Sequence, residues 1–269
     1  DPKNAKSYYG KKELYVGKSS LIELAKINCD IVISGITGMS GLYPAFAAIS
    51  VGNNLAIANK ETLVSAGKIF MEKSHEKKVR ILPVDSEHSA IFQCLEKNNI
   101  ANVDFITLTA SGGPFLNMPI ENFKNIKPKD AIKHPVWKMG QKISVDSATM
   151  FNKALEIIEA SVLFNIKSDK IEVTVHPEHI IHGLVHYKDG SILANLGFPD
   201  MITPLSVALN WPERIDLNLK KLSLNNIGNL NFFEPDFKKF PGLKLGWEVL
   251  DNPHYSPVIL NASNEIAVD

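Results

Sequence analysis

A chain of 269 residues with 45% hydrophobic and 22% charged side chains is long and apolar enough to bury one large or two medium cores. Its 29 basic residues balance its 29 acidic ones, so no global field draws it to nucleic acid or an anionic membrane, and any anion it binds must be held locally. No apolar run is long enough to cross a bilayer, and the first residues lack a signal-peptide pattern.

From residue 30 to 110, short apolar runs alternate with helix-period stretches: DIVISG, a Gly-rich turn and YPAFAAIS; NLAIAN and KETLVSAGKIFMEK; VRILPVD and SEHSAIFQCLEK; then VDFITLTA. Alternation of this kind predicts an α/β fold with a parallel, Rossmann-like sheet covered on both faces. Functional residues in such sheets gather beyond the carboxyl ends of the strands, which here are residues 35–41, 59–61, 85–88 and 110–114. Cys29 and Cys94 lie in apolar-periodic segments without metal or redox spacing, and both are expected to be buried, reduced thiols. After a loop at HPVWKMG, an amphipathic helix is predicted to start near Ser147. KIEVTVH, IIHGLVHY and SILANLG read as strands, the last two as a hairpin about Asp189-Gly190, so this second portion is α+β. Residues 210 to 245 hold many breakers, and a new helix is expected to begin at NASNEIAVD.

Asp85-Ser86-Glu87 follows the apolar strand RILPV. If the extended backbone continues, Asp85 and Glu87 point to one side, and two adjacent carboxylates call for a hard divalent cation such as Mg²⁺ or Mn²⁺. The alternative is an acidic helix cap. In SATMFNKALEIIEA, Asn152 and Glu156 are four apart and share a helix face, so Glu156 can supply a third carboxylate. Ser147, Thr149 and Lys153 near that helix start suit a phosphate; alternatively Asp146 or Ser147 caps the helix, with Lys153 and Glu156 solvated. Ser111-Gly112-Gly113 offers a hydroxyl and close backbone approach at a strand end, or simply breaks the strand. Gly35, Gly38 and Gly41 form a G-x-x-G-x-x-G turn that departs from the dinucleotide pattern. Lys60 is either a cation beside a reacting oxygen or an exposed lysine opening a helix. His176, His179, His182 and His186 fall on strand, turn and strand, so their rings need not converge. His134, with Trp137, Met139 and Gly140, marks a candidate apolar lid.

Taken together, ANKETLVSAG, LPVDSEHSAIFQ, LTASGGPF, HPVWKMGQKISVDSATMFNKALEIIEA, VHPEHIIHGLVHYKDGSILANLGFPDM, TPLSVALNWPER and NASNEIAV closely resemble the 1-deoxy-D-xylulose 5-phosphate reductoisomerases, in chain order from about residue 30 onward. The resemblance implies an enzyme that rearranges 1-deoxy-D-xylulose 5-phosphate on a Mg²⁺ or Mn²⁺ ion and reduces the product with NADPH to 2-C-methyl-D-erythritol 4-phosphate. It implies Asp85, Glu87 and Glu156 as metal ligands. Ser111, Ser147, Asn152 and Lys153 become substrate-phosphate and hydroxyl contacts, with Ser86 and Lys60 lining the same pocket. His134, Trp137 and Met139 belong to a flap that closes over substrate and nicotinamide, Gly35, Ile36, Asn59, Lys60 and Glu61 supply the remaining edge of a cofactor site, and Met139 and Gly140 also contact the cofactor. The expected division is 1–82, the remainder of an NADPH-binding Rossmann-like domain; 83–227, a catalytic α+β domain; and 228–269, a linker and the start of a helical domain. The family's opening strand and Gly-rich phosphate loop have no counterpart before residue 30. A metal-dependent lyase or phosphatase using the same carboxylates without nicotinamide is the competing expectation. The resemblance also implies a homodimer. Only Arg80 and Arg214 are arginines, and this Lys-rich, Asn-rich bias points to AT-rich coding DNA and a plastid-type organelle ahead of a bacterial cytoplasm.

Overall fold

The computed structural model of the chain describes residues 17–95, 100–133 and 140–268. Helix α1 (Lys18–Ala25) is followed by β1 (Ile31–Ser34), α2 (Leu42–Ser50), β2 (Asn54–Ile57), α3 (Lys60–Lys77), β3 (Ile81–Pro83) and α4 (Ser86–Cys94). The three strands pair in parallel in the order β1-β2-β3. Central strand β2 is apolar without alternation because both faces are covered. Leu55 and Ile57 pack on one side with Ile49, Leu63 and Phe70. Ala56, pointing the other way, packs with Leu82, Val84 and Ala208.

VDFITLTA does not extend this sheet. It forms β4 (Val103–Ala110) of a second sheet with β5 (Ile171–Val175), β6 (Ile181–Tyr187) and β7 (Ile192–Leu196), in the order β5-β4-β6-β7. β4 is parallel to β5 and antiparallel to β6, and β6 and β7 form the expected hairpin. An apolar run reports that a strand is buried but not which sheet it joins, and pairing across 72 residues, as between Thr109 and the Ile181 carbonyl, leaves no local signal.

The amphipathic helix also starts later than its pattern suggests. Helix α5 (Gln141–Ala148) ends at Ala148, Met150 turns left-handed at φ 57°, and α6 (Phe151–Phe164) begins there. Ser147 therefore sits in the last turn of one helix and not at the start of the next. Among non-glycine residues that backbone region is sparsely used, which is why a sequence without Gly, Pro or Asn at the break reads as continuous.

Helix α6 packs between the second sheet and helix α3 and is buried nearly all round, its polar residues included. Ile157, Ala160 and Phe164 face the core of the second sheet. Leu155 and Ile158 pack with Val64 of α3 and Val249 and Leu260. Val162 fills the space beside Gly67 of α3, where a Cβ would lie 2.6 Å from it. The charged residues of α6 are thereby carried into the junction. Besides two four-residue helical turns, Pro128–Ala131 and Leu224–Ile227, the remaining α-helices among the described residues are α7 (Ile202–Asn210), α8 (Leu245–Asp251) and α9 (Ser256–Val268). Helix α9 begins five residues before the predicted NASNE start. Residues 211–240 are largely irregular, as the breakers foretell, with one isolated bridge from Phe233 to Val175. Cys94 is buried but Cys29 is exposed in the turn after α1, because the apolar periodicity of α1 stops before it.

Candidate active site

The carboxyl ends of the parallel strands deliver the chemistry. Beyond β3, Asp85 is the N-cap of α4: its Oδ1 accepts from the Ser86 amide at 2.9 Å. Glu87 follows in the first turn, so the strand alternation used to align the two carboxylates is replaced by a helix start. The cap reading is correct for Asp85, and it does not exclude convergence. Glu156 of α6 reaches the same point, and one oxygen from each of Asp85, Glu87 and Glu156 lies within 4.8 Å of the others. A constellation of hard oxygen donors at this spacing fits a divalent cation such as Mg²⁺ or Mn²⁺.

Two ammonium groups thread the carboxylates. Lys60, opening α3, places Nζ 2.5 Å from Asp85 Oδ2, 2.8 Å from Glu156 Oε1 and 2.8 Å from Asn152 Oδ1. Lys153 reaches Glu87 Oε1 at 2.6 Å and Glu156 Oε2 at 2.5 Å. Ser86 Oγ donates to Glu87 at 2.5 Å, and Asn152 Nδ2 donates to Glu156. Three carboxylates against two ammoniums leave one net negative charge, which a divalent cation would reverse. Burial works against ionisation of Lys60 and Lys153, but the carboxylates outweigh it and hold both above the usual lysine value. Glu156 is opposed by burial too, yet Lys153 and Lys60 hold it well below the usual carboxylate range. Neither lysine is the solvated surface group of the bland alternatives: Lys60 is 5% and Lys153 4% exposed.

A cavity of about 250 Å³ opens over this cluster, lined by Lys60, Asp85, Ser86, Glu87, Asn152, Lys153 and Glu156 together with Ser111, Gly112 and Ser147. The two serines meet because Gly113, at φ 66°, lies against the end of α5, where a Cβ would stand 2.7 Å from the Ser147 carbonyl oxygen. Only glycine permits that approach. Ser111, Ser147, Asn152 and Lys153 thus line one cavity able to hold a phosphate by hydroxyl, amide and ammonium donors. The phosphate-helix geometry inferred from sequence is changed, since Ser147 is contributed by the C-terminal turn of α5.

The first-sheet edge is separate. Gly35 is exposed with open space at its Cα, and Ile36 is half-buried beside it. Asn59 is consumed internally: it caps α3 through the Thr62 amide at 2.8 Å and donates to the carbonyls of Ile36 and Gly38, tying the glycine turn to α3. Glu61 pairs with Lys142 at 3.0 Å. Gly140 is exposed at the start of α5. His134, Trp137 and Met139 lie outside the described residues.

Behind the carboxylates sits a second layer that the sequence reading passed over. His88 is fully buried, and its Nε2 donates to the Glu156 backbone carbonyl at 2.9 Å. Its Nδ1 stands 3.6 Å from Glu159 Oε2. Glu159 is also fully buried, with no hydrogen bond to either carboxyl oxygen among the described residues. The available signal was EIIEA, a second glutamate inside an apolar helix run. Burial, reinforced by Asp85 and Glu156, pushes Glu159 well above the usual carboxylate range. A folded carboxyl that holds its proton this way contributes stability in full below its unfolded value, about 4.3, and loses it as pH rises through the folded value. Glu159→Gln does not titrate, so in metal-free protein it should gain stability over the parent as pH climbs from about 4 toward 7. Denaturant midpoints at both ends of that range measure the gain, and a difference that does not change with pH would contradict a protonated Glu159.

His179 is the other omission. It is 3% exposed, at φ 52°, on the turn after β5, and it lines the cavity together with Met201. The signal lies in topology: Val175 is the register partner of Ala110 in a parallel pair, so the loop after β5 emerges beside Ser111. Its neighbours bear out the expectation that the histidines do not form one cluster. His176 bonds the Asn231 carbonyl at 2.8 Å and His186 bonds Thr107 at 2.9 Å, while only His182 stands against His179, with ring centroids 5.1 Å apart.

Known proteins share the sequence and the fold of this chain. Residues 3–67 match the 1-deoxy-D-xylulose 5-phosphate reductoisomerase family, 81–164 its C-terminal domain, and 196–269 the DXP reductoisomerase C-terminal domain. The 1-deoxy-D-xylulose 5-phosphate reductoisomerase of Prosthecochloris aestuarii is 53% identical over 239 residues, which are 89% of this chain and 63% of that protein. That of Geobacter metallireducens is 48% identical over 96% of this chain and 68% of its own length. The chain therefore spans about two thirds of these relatives. A crystal structure of DOX-P reductoisomerase in complex with NADPH, fosmidomycin and magnesium superposes with a TM-score of 0.90 at 44% identity, covering 94% of this chain and 64% of that one. The Zymomonas mobilis enzyme in complex with NADPH gives 0.88 at 44% identity, covering 94% and 65%. With matches of this extent and identity, the chain belongs to the 1-deoxy-D-xylulose 5-phosphate reductoisomerase family.

Proposed function

We propose that the protein acts as a 1-deoxy-D-xylulose 5-phosphate reductoisomerase, converting that sugar phosphate to 2-C-methyl-D-erythritol 4-phosphate with NADPH and a divalent cation, magnesium or manganese. The observation that carries this reading is the convergence of Asp85, Glu87 and Glu156 with Lys153, Ser111 and Ser147 on one cavity. In it, Asp85, Glu87 and Glu156 are the cation's ligands. A divalent ion there supplies a Lewis acid for a carbonyl and its neighbouring hydroxyl. Ser111, Ser147, Asn152 and Lys153 take the phosphate, and Ser86 takes a substrate oxygen. Binding at the phosphate then places the reacting carbons by contacts remote from them. Lys60 keeps a proton and a positive charge beside the carboxylates. Gly35 and Ile36 offer the backbone edge of a nicotinamide site, with Asn59 and Glu61 holding that edge in shape, and NADPH supplies hydride when bound. His134, Trp137, Met139 and Gly140 form the flap that keeps water from the reaction.

The proposed organisation divides the chain into residues 1–82, 83–227 and 228–269; because β3 (Ile81–Pro83) still belongs to the first sheet, the change of sheet between β3 and β4 favours moving the first boundary beyond Pro83. We further propose a homodimer, for which the edge strand β7 offers exposed Ile192, Leu193 and Leu196. Among the described residues, no helix is long and apolar enough to cross a membrane. The relatives named above are bacterial, which gives the plastid expectation no support, and a bacterial cytoplasm is the compartment we propose.

The test is to supply the full-length protein with 1-deoxy-D-xylulose 5-phosphate, Mg²⁺ and NADPH and to follow nicotinamide absorbance. NADPH consumption that requires both the sugar phosphate and the cation is expected. Cleavage or phosphate release without NADPH consumption would instead establish the lyase or phosphatase.

A further inference from the structure

Behind the phosphate end of the cavity runs a polar chain in which Asp146, Lys142 and Asn264 have no part in the proposed reaction. Asn264 of α9, 7% exposed, donates from Nδ2 to Asp146 Oδ1 at 2.8 Å. Asp146, 2% exposed, accepts at its other oxygen from Lys142 Nζ, also at 2.8 Å. The same ammonium donates to Glu61 Oε1 at 3.0 Å. None of the four lines the cavity, yet three adjoin residues that do: Asp146 precedes Ser147, Lys142 precedes Ile143, and Glu61 follows Lys60.

The arrangement exceeds what α5 needs for itself. A helix of this length is served by its own backbone, whereas the Asn264 contact comes from 118 residues away and spends a buried amide on a single carboxylate oxygen. On the far side of the same turn, Gly113 leaves no room at the Ser147 carbonyl. Ser147 is therefore clamped between the glycine loop that carries Ser111 and an anchored Asp146. A buried carboxylate deprived of one partner relaxes toward another, and the turn bearing Ser147 would move with it.

We propose that Asp146 is a positioning residue for substrate-phosphate binding: held by Asn264 and Lys142, it fixes Ser147 against the Ser111 loop, so that the C-terminal helix α9 sets the geometry of the phosphate end of the cavity. This rests on the phosphate assignment made above. A purely structural tie would lower stability and leave substrate affinity of the folded fraction alone, so the two roles separate kinetically.

The experiment compares the full-length enzyme with Asn264→Ala, Asp146→Asn and the reciprocal exchange Asp146→Asn/Asn264→Asp, measuring KM for the sugar phosphate, kcat and Mg²⁺ affinity. Each single substitution should raise KM about tenfold, the factor set by one charge-assisted hydrogen bond, with kcat within about twofold and cation affinity unchanged. The exchange restores an amide-to-carboxylate bond with its polarity reversed and should bring KM back to within about threefold of the parent. If Asp146→Asn does not fold, Asn264→Ala and the exchange carry the comparison. An unshifted KM with a lowered melting temperature, or an exchange that recovers nothing, would overturn the positioning role while leaving the functional reading intact. A parent enzyme that does not turn over the sugar phosphate would overturn that reading and this inference with it.

Discussion

Glu156→Gln should abolish the response to divalent cations, weakening their binding by about 100-fold or more, and should destabilise the metal-free protein by about 3–5 kcal/mol. The two effects share one cause. Glu156 is 1% exposed and sits between two ammoniums, 2.8 Å from Lys60 and 2.5 Å from Lys153. An isosteric amide keeps the volume but removes the only charge that both lysines share, leaving two buried cations facing Asp85 and Glu87 alone. The same change deletes the ligand that α6 contributes. Turnover at saturating Mg²⁺ and denaturant unfolding without it are the paired measurements. A variant that stays fully cation-responsive would remove Glu156 from the ligand set, whatever its stability.

Lys153→Met should separate two properties that most active-site substitutions lose together. Its ammonium now occupies oxygens of Glu87 and Glu156, so an entering cation must displace it and be repelled by it. Like unit charges about 4 Å apart repel by roughly 4 kcal/mol at a surface-like dielectric, and even a fraction of that predicts several-fold tighter cation binding in the variant. The phosphate, by contrast, loses a charge-assisted donor worth about 2–3 kcal/mol, and KM should rise about 100-fold. Equilibrium titration with Mn²⁺ and steady-state kinetics with the sugar phosphate read the two quantities independently. A parallel fall in both affinities would show that Lys153 supports the carboxylates and does not compete with the cation.

Much of this site is legible from residue order, though for reasons that the folded chain revises. Asp85 and Glu87 suggested a cation through strand alternation; they converge instead because an N-cap and a first-turn residue of α4 both face α6. Asn152 and Glu156 behave as their spacing of four requires. What spacing cannot convey is that Lys60 lies 96 residues from its partner Glu156, or that the two sheets part company between β3 and β4. Both are matters of long-range packing. The break at Met150 was hidden because the residue adopts a backbone conformation its side chain disfavours, and a run such as DSATMFNK carries no mark of it. His179 was overlooked because four histidines on strand and turn read as ordinary sheet residues, and only the parallel pairing of β4 with β5 brings one of them to the Ser111 edge. Glu159 was hidden within an apolar run that correctly announced a buried helix.

The most direct test of the central claim, that Asp85, Glu87 and Glu156 form one divalent-cation site inside a phosphate-binding cavity, is a calorimetric titration of the protein with Mn²⁺ in the presence of a phosphonate hydroxamate mimic of the substrate, repeated for Asp85→Asn and Glu156→Gln. The structure predicts that the parent binds the mimic only when Mn²⁺ is present and that either substitution abolishes this dependence. Mimic binding that is indifferent to Mn²⁺, or that survives both substitutions, would contradict it.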